Sequence, residues 1–246
     1  MIAGAKGDGR GRPVTDLWIG GVTGVPLPSV AMADIVSENE PGLLDHAVAL
    51  LRAGELVVYP TDTLYGLGAA ARNDAAVRKL CAVKGRPPSK ALPLLVSDPV
   101  MAEWIAEVTP IAHKLMSAFW PGALTIIMRK RESFHSAALG GDTVALRAPA
   151  HGLVRNIITA LGEPITGTSA NRSGGRPAAS AQEIAFQLGD MLSLVIDGGP
   201  IRTRGESTIL DITQAPGPVI VRDGAVSREE LERVLGSKIA SEEKHG

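Results

Sequence analysis

A cluster of positive charge stands out in a chain whose charges otherwise balance. The chain has 25 Lys and Arg against 26 Asp and Glu, a net charge of -1, yet residues 75–97 contain five basic residues and no acidic one. Lys84 and Arg86 lie two residues apart, and the prolines after Arg86 favour an extended backbone. Alternate residues of an extended segment point to one side, so these two cations are predicted to bind one phosphate chain. The alternative is a solvated basic loop. The five residues are Arg78, Lys79, Lys84, Arg86 and Lys90.

Small polar residues are concentrated in two segments that lie next to predicted strands. Residues 60–68 follow a buried strand at 56–59 and combine threonines with glycines. Residues 168–171 hold Ser169 and Asn171 two positions apart, with arginines nearby, so both side chains could donate to phosphate or carboxylate oxygens. Either segment could equally be a turn rich in small polar residues.

Two arginines occur at the ends of predicted strands. Arg147 ends the apolar strand 143–147, and a charge there is costly to bury unless it is paired. The sequence therefore predicts a carboxylate partner for Arg147. Arg222 follows the strand 219–221, and residues 206–208 bring Glu, Ser and Thr to the start of another strand. Each segment is weak evidence alone, and their order along the chain is more informative.

Several other kinds of site lack the residues that they need. One cysteine and five scattered histidines give no metal-ligand spacing. Residues 66–71 match the dinucleotide fingerprint only loosely, because six residues separate the predicted strand from the first glycine. Residues 167–171 resemble a nucleophile elbow except that Asn171 replaces the final glycine. A P-loop is absent from the sequence.

Composition narrows the class of protein. Aromatic residues make up only 3% of the chain, which argues against a stacking surface for single-stranded RNA. No run of 18 apolar residues is present, so no membrane span is expected. The single Cys81 excludes an internal disulfide and fits a reducing compartment. A cytoplasmic location is therefore expected.

Strands alternate with helices along the chain, which predicts one α/β domain at 36–236 with a mainly open sheet. Residues 1–35 are expected to be a disordered extension or the result of a start placed too early, with Met32 as the natural start. Asp16, glycines and prolines interrupt what would otherwise resemble a signal peptide. Residues 237–246 are expected to be a polar tail. Helices are predicted at 41–52, 74–83, 99–107, 110–119, 151–161, 181–188 and 227–235, and strands at 56–59, 92–96, 124–128, 143–147, 194–196, 207–212 and 219–221, with a strand-like segment from Ile165.

Taken in order, these segments strongly resemble the YrdC/Sua5 family of threonylcarbamoyl-adenylate synthases. The resemblance covers about residues 38–224 and implies a single α/β domain whose twisted, open mixed sheet surrounds a basic cleft. It also implies the synthesis of threonylcarbamoyl-AMP and pyrophosphate from L-threonine, bicarbonate and ATP, for the t6A modification of adenosine 37 in tRNA. The matching segments are 60–68, 84–87, 119–122, 143–149, 169–171, 195–199, 206–208 and 221–222.

The resemblance also implies roles for individual residues. Thr61, Arg147 and Ser207 would hold threonine, and Lys84 with Arg86 would be catalytic. The carbamate made from threonine would be the nucleophile, so the protein would supply alignment and charge neutralisation, with Mg²⁺ accompanying ATP and no metal ligand assigned among the side chains. The residues expected at ATP are Lys84, Arg86, Lys90, Thr143, Ser169, Asn171 and Arg222.

Some features depart from the family pattern or leave alternatives open. Leu95 stands where some members carry a threonine-contacting histidine. The length resembles that of the short, YrdC-like form. A module of the same fold that binds double-stranded RNA or tRNA without catalysis is the main alternative, and tRNA and other t6A-pathway proteins are possible partners of either. Two other readings are disfavoured. Hydrogenase-maturation relatives carry further zinc-finger and acylphosphatase-like regions, whereas this chain has one cysteine. Divergent paralogues usually lack parts of the two motifs at 84–86 and 169–171, and both motifs are intact here.

Overall fold

The computed structural model describes residues 33–176, 178–200 and 205–239. Strands and helices are interspersed along these residues, and several strands follow one another directly. The strands are β1 (Asp34–Ser37), β2 (Val57–Tyr59), β3 (Gly66–Gly68), β4 (Leu94–Leu95), β5 (Leu124–Arg129), β6 (Thr143–Arg147), β7 (Ile165–Thr166), β8 (Thr168–Ser169), β9 (Leu194–Asp197), β10 (Thr208–Asp211) and β11 (Val219–Arg222). The helices are α1 (Leu43–Arg52), α2 (Asp74–Lys84), α3 (Pro99–Ile105), α4 (Pro110–Phe119), α5 (Gly152–Leu161), α6 (Ala181–Leu188) and α7 (Arg228–Leu235).

The strands form two mixed, open sheets, where the sequence predicted one. Five strands pair in the order β1-β9-β2-β3-β8, and six pair in the order β11-β10-β5-β6-β4-β7. The described residues fall in one compact unit, so the single α/β domain expected for this part of the chain is confirmed.

Gly167 marks the point where the chain passes from one sheet to the other. Just before it, β7 pairs with β4, and just after it, β8 pairs with β3. The Gly167 amide donates to the Pro93 carbonyl at 2.7 Å, and a Cβ on Gly167 would lie 2.9 Å from Leu95 Cδ2. A side chain at position 167 would therefore force the Leu95 side chain to move.

Helix boundaries follow the capping residues in the sequence. Asp98 and Thr109 cap α3 and α4, and each is followed by a proline at the first helical position. Ser227 and Glu230 form the capping box predicted for α7. The predicted ends differ from the observed ones by a few residues, since α1 begins at Leu43 and α2 continues to Lys84.

The ends of the domain differ from the expected boundaries. The strand β1 starts at Asp34, two residues before the expected start at 36, and pairs in parallel with β9. At the other end, Ile239 is buried although it belongs to the expected polar tail. The expectations for residues 1–32 and 240–246 lie outside the described residues. Nowhere in the described ranges is a helix both long and apolar enough for a membrane crossing.

Candidate functional site

A cavity of about 530 Å³ is lined by residues of both sheets. Thr125 and Ile127 of β5, and Thr143, Ala145 and Arg147 of β6, line it at alternate positions, as expected for one face of a strand. Val144 lines it as well. In the described part of the chain, four basic side chains and one carboxylate reach the cavity. They are Arg86, Lys90, Arg147, Arg222 and Glu206.

Arg147 is almost completely buried and is held on three sides. Its Nη2 donates to Asp62 Oδ1 and its Nη1 to Thr63 Oγ1, both at 2.7 Å, and its Nε donates to the Gly122 carbonyl at 2.9 Å. The predicted carboxylate partner is therefore Asp62. Burial lowers the pKa of Arg147, and the charge of Asp62 opposes that change. The other two N–H groups of the guanidinium have no acceptor among the described residues and remain available to an anion in the cavity.

Arg222 lies beside a carboxylate at the same cavity. Its Nη1 is 2.8 Å from Glu206 Oε2, and its Nη2 donates to Ser207 Oγ at 3.0 Å and to the Ser207 carbonyl at 2.8 Å. Ser207 Oγ in turn lies 2.9 Å from Thr125 Oγ1. Both partners of the ion pair are partly exposed, at 39% and 43%, so the pair is weak and an incoming anion can compete for Arg222.

Arg86 lies on the loop that follows α2, together with Lys90. Its Nη2 donates to the Ala91 carbonyl at 2.6 Å and its Nε to the Lys90 carbonyl at 3.1 Å. Partial burial lowers the pKa of Arg86. These two bonds close the loop on itself and aim the guanidinium at the cavity.

The predicted extended geometry around Lys84 and Arg86 is wrong. Lys84 is the last residue of α2, and Gly85 caps the helix in the left-handed conformation, with φ of 61°. The two cations therefore do not lie along one extended segment, and Lys84 is buried while Arg86 lines the cavity. Burial, with a smaller effect from the charge of Arg86, lowers the pKa of Lys84 to about 8.

The lowered pKa of Lys84 predicts a dependence of stability on pH. An unfolded lysine holds its proton up to about pH 10.5, so between pH 8 and 10.5 the unfolded state binds more protons and stability rises with pH. Relative to Lys84→Met, the wild type should gain about 3 kcal/mol in unfolding free energy across that window, at about 1.4 kcal/mol for each pKa unit. Urea unfolding of both proteins at pH 7 and pH 10 measures this. An equal difference at both pH values would contradict burial of a charged ammonium.

Thr61 and Tyr65 shape the loop that follows β2. The Thr61 hydroxyl donates to the Leu64 carbonyl at 2.6 Å and accepts from the amides of Thr63 and Leu64 at 3.1 Å. The Tyr65 hydroxyl donates to the Gly199 carbonyl at 2.7 Å, and burial raises the pKa of Tyr65 to about 12. The loop is thereby fixed at the cavity wall, where it also supplies the partners of Arg147.

Most of the predicted site residues lie together around this cavity. Lys84 and Asn171 are the exceptions, because both are buried outside its lining. Leu95 also lines the cavity and places an apolar side chain beside Arg147 in the strand register. The predicted residues that the cavity brings together are Thr61, Arg86, Lys90, Thr143, Arg147, Ser169, Ser207 and Arg222.

Comparison with known proteins shows the family of this chain. A family model for Sua5, YciO and YrdC proteins, described as "Telomere recombination", matches residues 49–224. The chain belongs to the Sua5/YciO/YrdC family. It is 39% identical over 192 residues to a threonylcarbamoyl-AMP synthase of Pyrococcus abyssi, with 77% of this chain and 56% of the relative covered. A relative of the same name from Bacillus subtilis is 39% identical over 210 residues, with 84% and 60% covered.

Solved structures of the Sua5/YciO/YrdC family have the same fold. The crystal structure of P. abyssi Sua5 complexed with L-threonine superposes with a TM-score of 0.77 at 38% identity, covering 83% of this chain and 61% of that one. Escherichia coli YciO gives a TM-score of 0.73 at 26% identity, with 81% and 100% covered. The chain thus spans less than two thirds of the length of the two relatives named first, from P. abyssi and B. subtilis.

Some residues of this Sua5/YciO/YrdC site were not predicted from the sequence. Asp62 and Thr63 lie in the polar segment 60–68, but nothing in the sequence pairs them with Arg147. Thr125 and Ile127 belong to a predicted strand, and the alternation of their neighbours could have placed them on the cavity face. The sequence indicated Glu206 only as a member of the polar segment 206–208, with no role of its own.

The oxygen donors at the cavity are of the kind that Mg²⁺ binds. No group of three or more His, Cys, Asp or Glu suited to a metal occurs in the described ranges. Glu206 is the one carboxylate among the described residues of the lining, and the hydroxyls of Thr125, Ser207 and Thr143 lie on the same cavity. Mg²⁺ keeps several waters and is commonly held by one or two carboxylates together with substrate phosphates, which this set of ligands allows.

Proposed function

We propose that this chain is an L-threonylcarbamoyladenylate synthase, a nucleotidyltransferase that acts on ATP, L-threonine and bicarbonate. The observation that carries the proposal is the convergence of Arg86, Lys90, Arg147 and Arg222 on one cavity. Its volume of about 530 Å³ suits a nucleotide-sized ligand. The names of the P. abyssi and B. subtilis relatives support the same reaction.

The proposed reaction needs no nucleophile from the protein. The amine of threonine and bicarbonate form a carbamate with loss of water. A carbamate oxygen then attacks the α-phosphorus of ATP, and the bond to the bridging oxygen breaks to release pyrophosphate. Arg147, with two N–H groups available, would bind the threonine carboxylate, while Arg86, Lys90 and Arg222 would neutralise the phosphates. Alignment and charge neutralisation account for most of the catalysis of phosphoryl and nucleotidyl transfer.

Mg²⁺, when bound with ATP, would neutralise phosphate charge, and Glu206 is the carboxylate placed to hold it. The product would supply the t6A modification of tRNA, so tRNA and other proteins of that pathway are proposed as downstream partners. A cytoplasmic location is part of the proposal, because tRNA is modified there and Cys81 is a free buried thiol.

An amino-acid screen tests the function directly. The purified chain is incubated with ATP, Mg²⁺, bicarbonate and each of the twenty amino acids, and pyrophosphate is measured. Release that requires both threonine and bicarbonate is expected, together with a product that carries label from ¹⁴C-bicarbonate. Release without an amino acid, or no release with any, would overturn the proposal. Binding of double-stranded RNA with no pyrophosphate release would favour the non-catalytic alternative.

Replacing Glu206 with glutamine should change how the nucleotide is bound. The substitution removes a negative charge 2.8 Å from Arg222, so we expect ATP in the presence of EDTA to bind about 10-fold more tightly. The gain from adding Mg²⁺ should shrink by a similar factor. Titration calorimetry of both proteins with and without Mg²⁺ measures this. Glu132→Gln, an exposed residue outside the cavity lining, is the matched control. Equal affinities of wild type and Glu206→Gln for metal-free ATP would refute the expectation.

A further inference from the structure

Lys84 carries a buried charge that does not reach the cavity. The residue is 4% exposed. Its Nζ donates to the main-chain carbonyls of Ser169 at 2.5 Å and Asn171 at 2.6 Å. The carbonyl of Lys84 itself accepts from the Ser173 amide at 2.8 Å. The end of α2 therefore holds the segment 169–173 through both a side chain and the backbone.

Asn171 completes the fold of this segment from inside. It is 5% exposed, and its Oδ1 accepts from Ser169 Oγ at 2.5 Å. Its Nδ2 donates to the carbonyls of Arg172 at 3.0 Å and Gly175 at 2.5 Å. Of the segment 169–173, Ser169 is the residue that lines the cavity.

We infer that Lys84 is a positioning residue, which holds the segment 169–173 so that Ser169 faces the cavity, and that it does not itself bind phosphate. To reach a phosphate, the ammonium would have to give up both carbonyls. The Ser169 carbonyl would keep its bond from the Asn171 amide at 2.9 Å, but the carbonyl of the buried Asn171 would lose the ammonium as its donor, and an unpaired buried group is costly. A buried ammonium between two carbonyls is instead a fixed structural link. The inference deepens the proposed function, because Ser169 is expected at ATP, but its first test needs no substrate.

Burial of the ammonium is consistent with this role. A buried cation without water or a carboxylate beside it needs other hydrogen-bond acceptors, such as carbonyl oxygens. Two of the three N–H groups of the Lys84 ammonium donate to such oxygens here. Asn171 acts in the same way, through the two carbonyls and one hydroxyl that it contacts.

Amide hydrogen exchange of the ligand-free protein provides the test. Lys84→Met keeps the length and apolar stem of the side chain but removes all three donors. We expect the amides of residues 170–175 to exchange at least 10-fold faster in this variant, while α5 exchanges as in the wild type. Lys79→Met, on the exposed face of the same helix, is the matched control and should leave the segment unchanged. Wild-type exchange in the segment of folded Lys84→Met would overturn the inference.

Two further measurements keep the test decisive. If Lys84→Met does not fold, Lys84→Gln, which retains a neutral donor, is measured in the same way, and unchanged exchange of the segment overturns the inference.

The second measurement is a double-mutant cycle in which ATP affinity is measured for Lys84→Met, Ser169→Ala and the double variant. If Lys84 acts through Ser169, the double variant should lose no more affinity than the weaker-binding single variant. If the losses of ATP affinity in the two single variants multiply in the double variant, Lys84 contacts the phosphates directly. If the wild type does not bind ATP, the proposed function fails while the exchange result still stands.

Discussion

Substitution of Arg147 by methionine is expected to lower kcat/KM for threonine at least about 100-fold, because a charged hydrogen-bond donor at a carboxylate is lost. The same change should destabilise the fold. It removes the guanidinium that donates to Asp62, Thr63 and the Gly122 carbonyl, and breaking a buried pair by removing one member costs about 3 kcal/mol. Pyrophosphate release at varied threonine and chemical unfolding measure the two effects.

Three comparison variants separate binding from stability. Arg147→Lys keeps the charge but not the planar guanidinium, so it should recover part of the stability and little of the activity. Asp62→Asn weakens the support of Arg147 and should affect stability more than threonine affinity. Arg129→Met removes an arginine of the neighbouring strand that is 51% exposed and should change neither. A folded Arg147→Met with full turnover would remove Arg147 from the site.

Those parts of the fold that depend on local sequence were predictable. The capping residues Asp98, Thr109 and Ser227 predict where their helices begin, and buried runs of Val, Ile and Leu predict β2, β5 and β9. The strands β3 and β8 were not predicted, because two or three residues with glycine or serine have no strand pattern of their own. They exist because their partners across the sheet order them.

The division into two sheets could not be inferred from the sequence for a related reason. The change of sheet occurs at Gly167, between β7, which pairs with β4, and β8, which pairs with β3. A single glycine between short polar residues is typical of any turn. Only the packing of Leu95 against Gly167 reveals that two strands meet there.

The sequence predicted most of the charged residues of the candidate site, but not that Lys84 and Arg86 are placed differently in it. Counting cations on a nearly neutral chain identified Arg86, because a local positive field needs no knowledge of the fold, and position at the ends of predicted strands identified Arg147 and Arg222. Lys84 belongs to the same cluster by sequence, yet it is buried against carbonyls. The left-handed Gly85 turns the chain between Lys84 and Arg86, and neither spacing nor composition distinguishes that turn from an extended segment.

Replacing Arg86 with alanine is the second change with a large expected effect. The side chain is partly exposed, and its hydrogen bonds go to the carbonyls of its own loop at Lys90 and Ala91. Its loss should therefore leave the unfolding free energy within about 1 kcal/mol of the wild type. Because the substitution removes the guanidinium that we propose neutralises the phosphates, kcat/KM for ATP should fall at least about 100-fold. Pyrophosphate release at varied ATP, with threonine saturating, measures this.

The control for Arg86→Ala comes from the same basic cluster. Arg78 lies on an exposed face of α2 outside the cavity lining, so Arg78→Ala removes an equal charge from the local field without removing a contact. If the field alone attracted the nucleotide, both variants would lose affinity equally, and the loss would vanish at high salt. A contact at Arg86 predicts instead a large loss in one variant, little in the other, and a difference that persists in 0.5 M salt. Equal losses in the two variants would mean that the basic cluster only attracts anions in general. Arg86 would then not be a residue that contacts the phosphates.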